Sequence, residues 1–245
     1  MDSSFVEHCK GKVLQKISET ADRSEGMAKQ IFFEKMNAQI DRFAPLPSGV
    51  IFFGVARDDG RPVLLSFEEP SLGSILISGN TSTGKTTLLQ AVASGIVHMY
   101  TPQEVQFAVI TSNYLEWADW SDLPACGGVF SSEKAHFEKI INALDEWLHR
   151  LDCSQTLLLF IDGVSAFQNL SADTCTKLQR LLAVGPFCNI WPVATADDKE
   201  LMNLGEWKRY FRKNVESVSK RNASMLEQEF IVREDDAWCR FSILG

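Results

Sequence analysis

A chain of 245 residues that is 45% hydrophobic and 10% aromatic can bury one substantial core, and its length sits at the upper end of a single domain. Its formal charge of −8 sets the average field against phosphate, so any nucleic acid would have to be met by a local basic patch. The six cysteines form no CxxC pair and the four histidines do not cluster with them, which argues for reduced structural thiols and against a metal site built from them. No basic-then-apolar leader is visible, and no apolar run approaches the roughly 20 residues that cross a bilayer. The expectation is a soluble cytoplasmic protein with no membrane insertion by this chain.

From Val6 to about Phe43, the apolar residues Val13, Ile17, Met27, Ile31, Phe32, Met36 and Ile40 recur at three- and four-residue intervals among polar ones. This is a helical period, with Gly11 and Gly26 as interruptions and Pro45 and Pro47 as the stop. Residues 1–45 therefore read as an N-terminal helical arm and residues 46–245 as the main domain. The arm either lies on its own core or offers a face to a partner, and the amphipathic pattern favours the first.

Two strands, residues 50–56 and 62–67, follow around the turn RDDGR and read as a β-hairpin. SILIS, residues 74–78, is a continuous apolar run of the kind buried on both faces of a parallel sheet. Thereafter the chain alternates: helix 85–100, strand 105–111, helix 133–150, strand 156–162, helix 172–182, strand 189–195. Such alternation predicts an α/β fold, a doubly wound and mostly parallel sheet with right-handed crossovers. Strands 229–233 and 238–244, around the acidic turn Glu234-Asp235-Asp236, close the chain as a hairpin.

GNTSTGKT (Gly79, Asn80, Thr81, Ser82, Thr83, Gly84, Lys85, Thr86) satisfies G-x-x-x-x-G-K-[ST] between a predicted strand and a predicted helix. Gly79 and Gly84 can adopt backbone conformations that turn successive N–H groups toward a polyphosphate, and the following helix adds positive potential at its start. Lys85 is expected to reach the β and γ phosphates of ATP, with the Thr86 hydroxyl on Mg²⁺; Thr87 completes the cofactor-binding set. LLLFIDG ends a second apolar strand in Asp162, a carboxylate suited to the Mg²⁺ hydration shell, although strand-Asp-Gly is also ordinary turn chemistry. Gly163 follows it and can neither accept a proton nor position a nucleophile. Glu116, beyond the strand ending at Thr111, is a candidate substitute or a solvated loop residue.

These motifs resemble the FtsK/SpoIIIE branch of the HerA/FtsK ATPases, which are RecA-like hexameric motors and their relatives in secretion and conjugation. The similarity spans about residues 46–244. It is carried by LPSGVIFFGVARDDGRPVLLSF, SILISGNTSTGKTTLLQAV, YTPQEVQFAVIT, the WADWSDLP segment, the long helix ending Trp147-Leu148-His149-Arg150, and LLLFIDG in that order. The resemblance implies a RecA-like P-loop NTPase with flanking β-hairpins, bound ATP and Mg²⁺, and homo- or hetero-oligomeric assembly. It also implies a DNA or secretion partner. Lys85, Asp162 and Thr195 would be its catalytic residues, Thr195 as a γ-phosphate sensor.

Where such motors carry Asp-Glu this chain has Asp162-Gly163, and where they carry Ala-Thr-Gln it has Ala194-Thr195-Ala196. It therefore resembles a single motor core or a partly degenerate ATPase module of type VII secretion coupling proteins. Family members complete their sites with a neighbour's arginine, for which Arg209, Arg212 and Arg221 are candidates; a solvated basic helix face is the alternative. Lys208, Arg209, Arg212 and Lys213 form the densest basic cluster. The tryptophans read as packing residues.

Two functions follow from these motifs. One is an ATP-driven motor module moving DNA or protein; the other is a regulatory or assembly module that binds ATP with weak or no hydrolysis. A small-molecule kinase is less well supported, because no lid-like arginine cluster or acceptor signature is present.

Overall fold

The structure is a computed structural model describing residues 30–149, 155–219, 228–234 and 237–244. Ten strands form one sheet: β1 Val50–Ala56, β2 Pro62–Ser66, β3 Ser74–Ser78, β4 Val105–Thr111, β5 Cys126–Ser131, β6 Thr156–Asp162, β7 Ile190–Ala196, β8 Phe211–Ser217, β9 Glu229–Glu234 and β10 Ala237–Ser242. Their spatial order is β2-β1-β10-β9-β8-β3-β7-β6-β4-β5. From β8 to β5 every pairing is parallel, and the hairpin strands extend the other side antiparallel.

Strands β3, β4, β6 and β7 are apolar without alternation because both faces of the sheet are covered. Leu158 and Phe160 of β6 pack into one core with helix α2 (Lys85–Met99), whereas Leu157, Leu159 and Ile161 pack into a second core with α3 (Lys134–Leu148) and α4 (Ala172–Val184). The period of 2 in side-chain direction therefore survives as a division between two cores and not between core and water.

The helical pattern before the prolines forms α1 over residues 30–42. Phe32, Met36 and Ile40 are buried in the α2 core, and Gly95 of α2 lies beneath Ile40 and Met36. Asn37 accepts from Ser94 at 3.3 Å, and His98 meets Asp41 at 2.7 Å. This stretch thus lies on its own core. The part of the arm predicted over residues 6–29 lies outside the described residues.

Three elements depart from the sequence-based expectation. The segment around Arg212 and Lys213, read as a basic helix face, is strand β8. Its alternation of buried Phe211, Val215 and Ser217 with more exposed Arg212, Lys213, Asn214 and Glu216 fits a pleat, and β3 supplies a parallel partner. Strand β5 is glycine-rich and pairs at the sheet edge with β4. Helix α5 (Asp198–Asn203) opens on a capping box in which Asp197 and Glu200 each accept from the other's backbone N–H, at 2.8 Å in both directions. Among the described residues, no helix is long and apolar enough to cross a membrane.

Candidate functional site

Parallel register brings the carboxyl ends of β3, β4, β6, β7 and β8 to one edge. Ser78 pairs with Ala196 and with Glu216, Ile77 with Thr195, and Thr111 with Asp162. Open parallel sheets bind ligands at this edge, because strand-to-helix turns present their N–H groups there.

The turn from β3 to α2 is residues 79–84. Gly84 sits in the left-handed region at φ 88°, and a Cβ on it would fall 2.2 Å from the side chain of Gln228, so both backbone shape and space require glycine. Asn80, Thr81 and Ser82 form the exposed tip. Behind the tip, Thr83 donates through its hydroxyl to Asn80 O at 2.8 Å, and its carbonyl accepts from Ser217 at 2.7 Å. Thr81 faces Asp197 at 3.4 Å, and Thr87 accepts from Gln228 at 3.5 Å. The loop is thereby tied to the ends of both β7 and β8.

Lys85 folds over this loop, its ammonium donating to Gly79 O at 2.9 Å and to Asn80 O at 2.7 Å. Burial pushes its pKa below the ordinary lysine range, and the carboxylates of Asp197, Glu200, Asp162 and Asp198 oppose that shift.

Asp162 is the hub of the site. Its carboxylate accepts from the Thr86 hydroxyl at 3.0 and 3.2 Å, from Thr195 at 3.0 Å, and from the indole N–H of Trp117 at 3.1 Å. Lys85, Thr86, Asp162 and Thr195, drawn from three separate strand ends, therefore converge. Thr195 is only 3% exposed, with its hydroxyl turned onto Asp162.

Trp117 is a site residue that sequence reasoning assigned to packing alone. It does pack, tilted against Phe160 and Trp120 in full burial, but its polar edge orients Asp162. The available signal was a tryptophan-rich segment directly after a strand end at the same sheet edge. Its neighbour Glu116 is exposed, accepting from Asn113 at 2.6 Å.

Arg209 and Arg212 lie elsewhere. Phe211 pairs with Ser74 at the start of β3, so both arginines sit at the opposite end of the sheet from the loop of their own chain. Arg209 packs on the Tyr210 ring and bonds its hydroxyl at 2.9 Å, and Arg212 reaches Ser71 O at 3.5 Å. Arg221 is outside the described residues.

A tight glycine turn, a lysine folded onto it and a strand-end aspartate bonded to the adjacent threonine define a P-loop NTPase fold. The FtsK/SpoIIIE family profile matches residues 47–172, more than half of the chain, and the chain belongs to that family. No curated protein sequence matches it.

Among solved structures, EccC from Thermomonospora curvata (ATPases 2 and 3, in complex with a signal sequence peptide) is 17% identical, with a TM-score of 0.63 over 82% of this chain and 42% of that one. The cytoplasmic domain of EssC is 13% identical, with a TM-score of 0.62 over 86% of this chain and 46% of that one. A protein described as an ATPase is 12% identical, with a TM-score of 0.65 over 86% of this chain and 93% of that one. The chain thus spans less than half the length of the EccC and EssC structures it resembles.

Proposed function

We propose that this chain binds ATP with Mg²⁺ in the 79–86 loop and hydrolyses it as a motor-type module acting on a protein substrate in an oligomeric assembly. The observation that carries the reading is the convergence of Lys85, Thr86 and Asp162 at the glycine turn between β3 and α2. The proposed roles are those expected from sequence. Gly79 through Thr87 hold the nucleotide, Thr86 and Asp162 hold the metal, and Thr195 senses the γ-phosphate; the bond its hydroxyl makes to Asp162 adds a positioning role that the sequence did not offer. The unit doing this work is residues 46–245, with residues 1–45 as its appendage.

The oxygen groups present suit Mg²⁺. Thr86 and Asp162 place a hydroxyl and a carboxylate 3.0 Å apart, and among the described residues no cluster of three or more His, Cys, Asp or Glu side chains could cage an ion. One carboxylate, one hydroxyl, phosphate and water is the ligand set Mg²⁺ accepts. When bound, the ion would neutralise charge on the β- and γ-phosphoryl oxygens. Lys85 adds its ammonium to the same oxygens, exchanging its bonds to the Gly79 and Asn80 carbonyls for charge-assisted ones.

A protein substrate is preferred over DNA on charge. The net −8 is unfavourable to a polyanion, and within the basic cluster Arg209, Arg212 and Lys213 are already engaged by Tyr210, Ser71 O and Arg233 O. Gly163 and the buried Ala196 favour the second reading, an ATP-binding assembly switch without turnover. ATP turnover of the purified protein, with and without duplex DNA, separates the two. The motor reading predicts a rate well above that of Lys85→Ala and unmoved by DNA, with larger assemblies in ATP by size measurement. A rate equal to Lys85→Ala selects the switch.

The lowered Lys85 pKa gives a signed pH dependence. Phosphate stabilises the ammonium, so above the free-state pKa binding must take up a proton, and affinity falls as pH rises through the alkaline range. That fall begins below the pH at which an ordinary lysine deprotonates. Titrations of ATP across pH should show the slope in the natural protein and none in Lys85→Ala.

A further inference from the structure

Gly163 has φ 110° and ψ 112°, a conformation that strains any residue with a side chain. A Cβ built there would lie 3.6 Å from Oε1 of Glu200, in ordinary contact. A side chain starting at position 163 would therefore begin beside a carboxylate already present, carried by α5 after β7.

Glu200 is held in place at both ends of its carboxylate. Oε1 accepts from the Ser165 backbone N–H at 3.0 Å, in the turn that follows Asp162, and Oε2 accepts from the Asp197 N–H at 2.8 Å. The side chain thus bridges the loops leaving β6 and β7, directly beside the Asp162–Gly163 corner. A carboxylate has about four lone-pair sites, so these two bonds fix its direction and leave acceptor capacity on each oxygen. Its charge is felt at the Lys85 ammonium. Glu116, the alternative from sequence, is exposed and turned to Asn113, while its neighbour Trp117 takes the inward position.

We propose that Glu200 is the carboxylate that orients and deprotonates the attacking water, the task Gly163 cannot perform. The inference rests on the ATP-hydrolysing reading above. The water oxygen forms a bond to the γ-phosphorus while the bond from that phosphorus to the β–γ bridging oxygen breaks, and the electron pair leaves with ADP. One water proton passes to Glu200 and on to solvent; the other stays on the released phosphate.

Glu200→Gln is the decisive variant, because glutamine keeps one accepting oxygen for the Asp197 N–H of the capping box and loses the basic carboxylate, while the N–H of the exposed Ser165 turns to water. Turnover, equilibrium affinity for Mg·ATP, the ATP-to-ADP ratio retained on the protein after one round of mixing, and Tm are measured together. The expected result is turnover lowered about 100-fold or more, with ATP retained in place of ADP. Affinity should stay within about 3-fold of the natural protein, the signature of an interaction made only in the transition state. Tm should fall only slightly, by the one exposed bond from the Ser165 N–H that glutamine cannot accept, and Glu116→Gln should turn over normally.

Unchanged turnover in Glu200→Gln overturns the proposal, as does an affinity that falls in step with turnover, which would mark a merely structural residue. If the natural protein binds ATP but turns over no faster than Lys85→Ala, the role of Glu200 is refuted while nucleotide binding stands. If it binds no ATP, both fall.

Discussion

Replacing Lys85 with alanine should lower affinity for Mg·ATP by about 10- to 100-fold, since hydrogen bonds to charged groups contribute about 1.5–3 kcal/mol each. The ammonium donates to Gly79 O and Asn80 O, so it both shapes the loop and occupies the place phosphate oxygens would take. It is also the positive charge that the carboxylates of Asp162, Asp197, Asp198 and Glu200 surround. Without it those carboxylates face the nucleotide uncompensated, and the remaining attraction comes from backbone amides and the start of α2. A binding isotherm for each protein reads the change directly; loss under 3-fold would mean that Lys85 does not meet phosphate.

Asp162→Asn should be the most damaging substitution to the fold of the site. The carboxylate accepts from Thr86, Thr195 and Trp117 at once. An asparagine can turn its one accepting oxygen to the donor-only indole N–H, but its amide must then donate to the Thr195 hydroxyl, which rotates to accept, and the charge-assisted bonds become neutral ones. The fully buried Trp117 ring cannot turn its edge to water. Exchanging three charge-assisted bonds for neutral ones costs about 1–3 kcal/mol in all, several degrees in Tm for a domain of this size. Trp117→Phe removes that donor and keeps the ring, so the double substitution should lose less stability than the two single losses added. Loss of the Mg²⁺ dependence of ATP affinity should accompany Asp162→Asn. Additive losses in the cycle would show that the Trp117–Asp162 bond carries no coupling.

The buried strands and the phosphate turn were legible because each is specified locally. SILIS and TLLLFID occupy β3 and β6 as read, since an apolar run bounded by turn residues has few other uses, and GNTSTGKT carries its own backbone requirements. Strand β8 was obscured by chemistry: Arg209, Arg212 and Lys213 drew attention as charges, while the short alternation of Phe211, Val215 and Ser217 needs β3 beside it to count as a strand. Trp117 and Glu200 were hidden for a different reason. The Asp197–Glu200 capping box is a local signature, yet its approach to Gly163 depends on β6 and β7 being neighbours, a fact of topology. The indole bond to Asp162 likewise depends on β4 and β6 pairing in register.

Calorimetric titration of the purified chain with ATP, with and without Mg²⁺, tests the central claim most directly. Saturable binding at submillimolar ATP, strengthened by Mg²⁺ and weakened in Lys85→Ala, is the predicted result. Absence of binding at millimolar ATP in the presence of Mg²⁺, from protein that melts cooperatively, would contradict it.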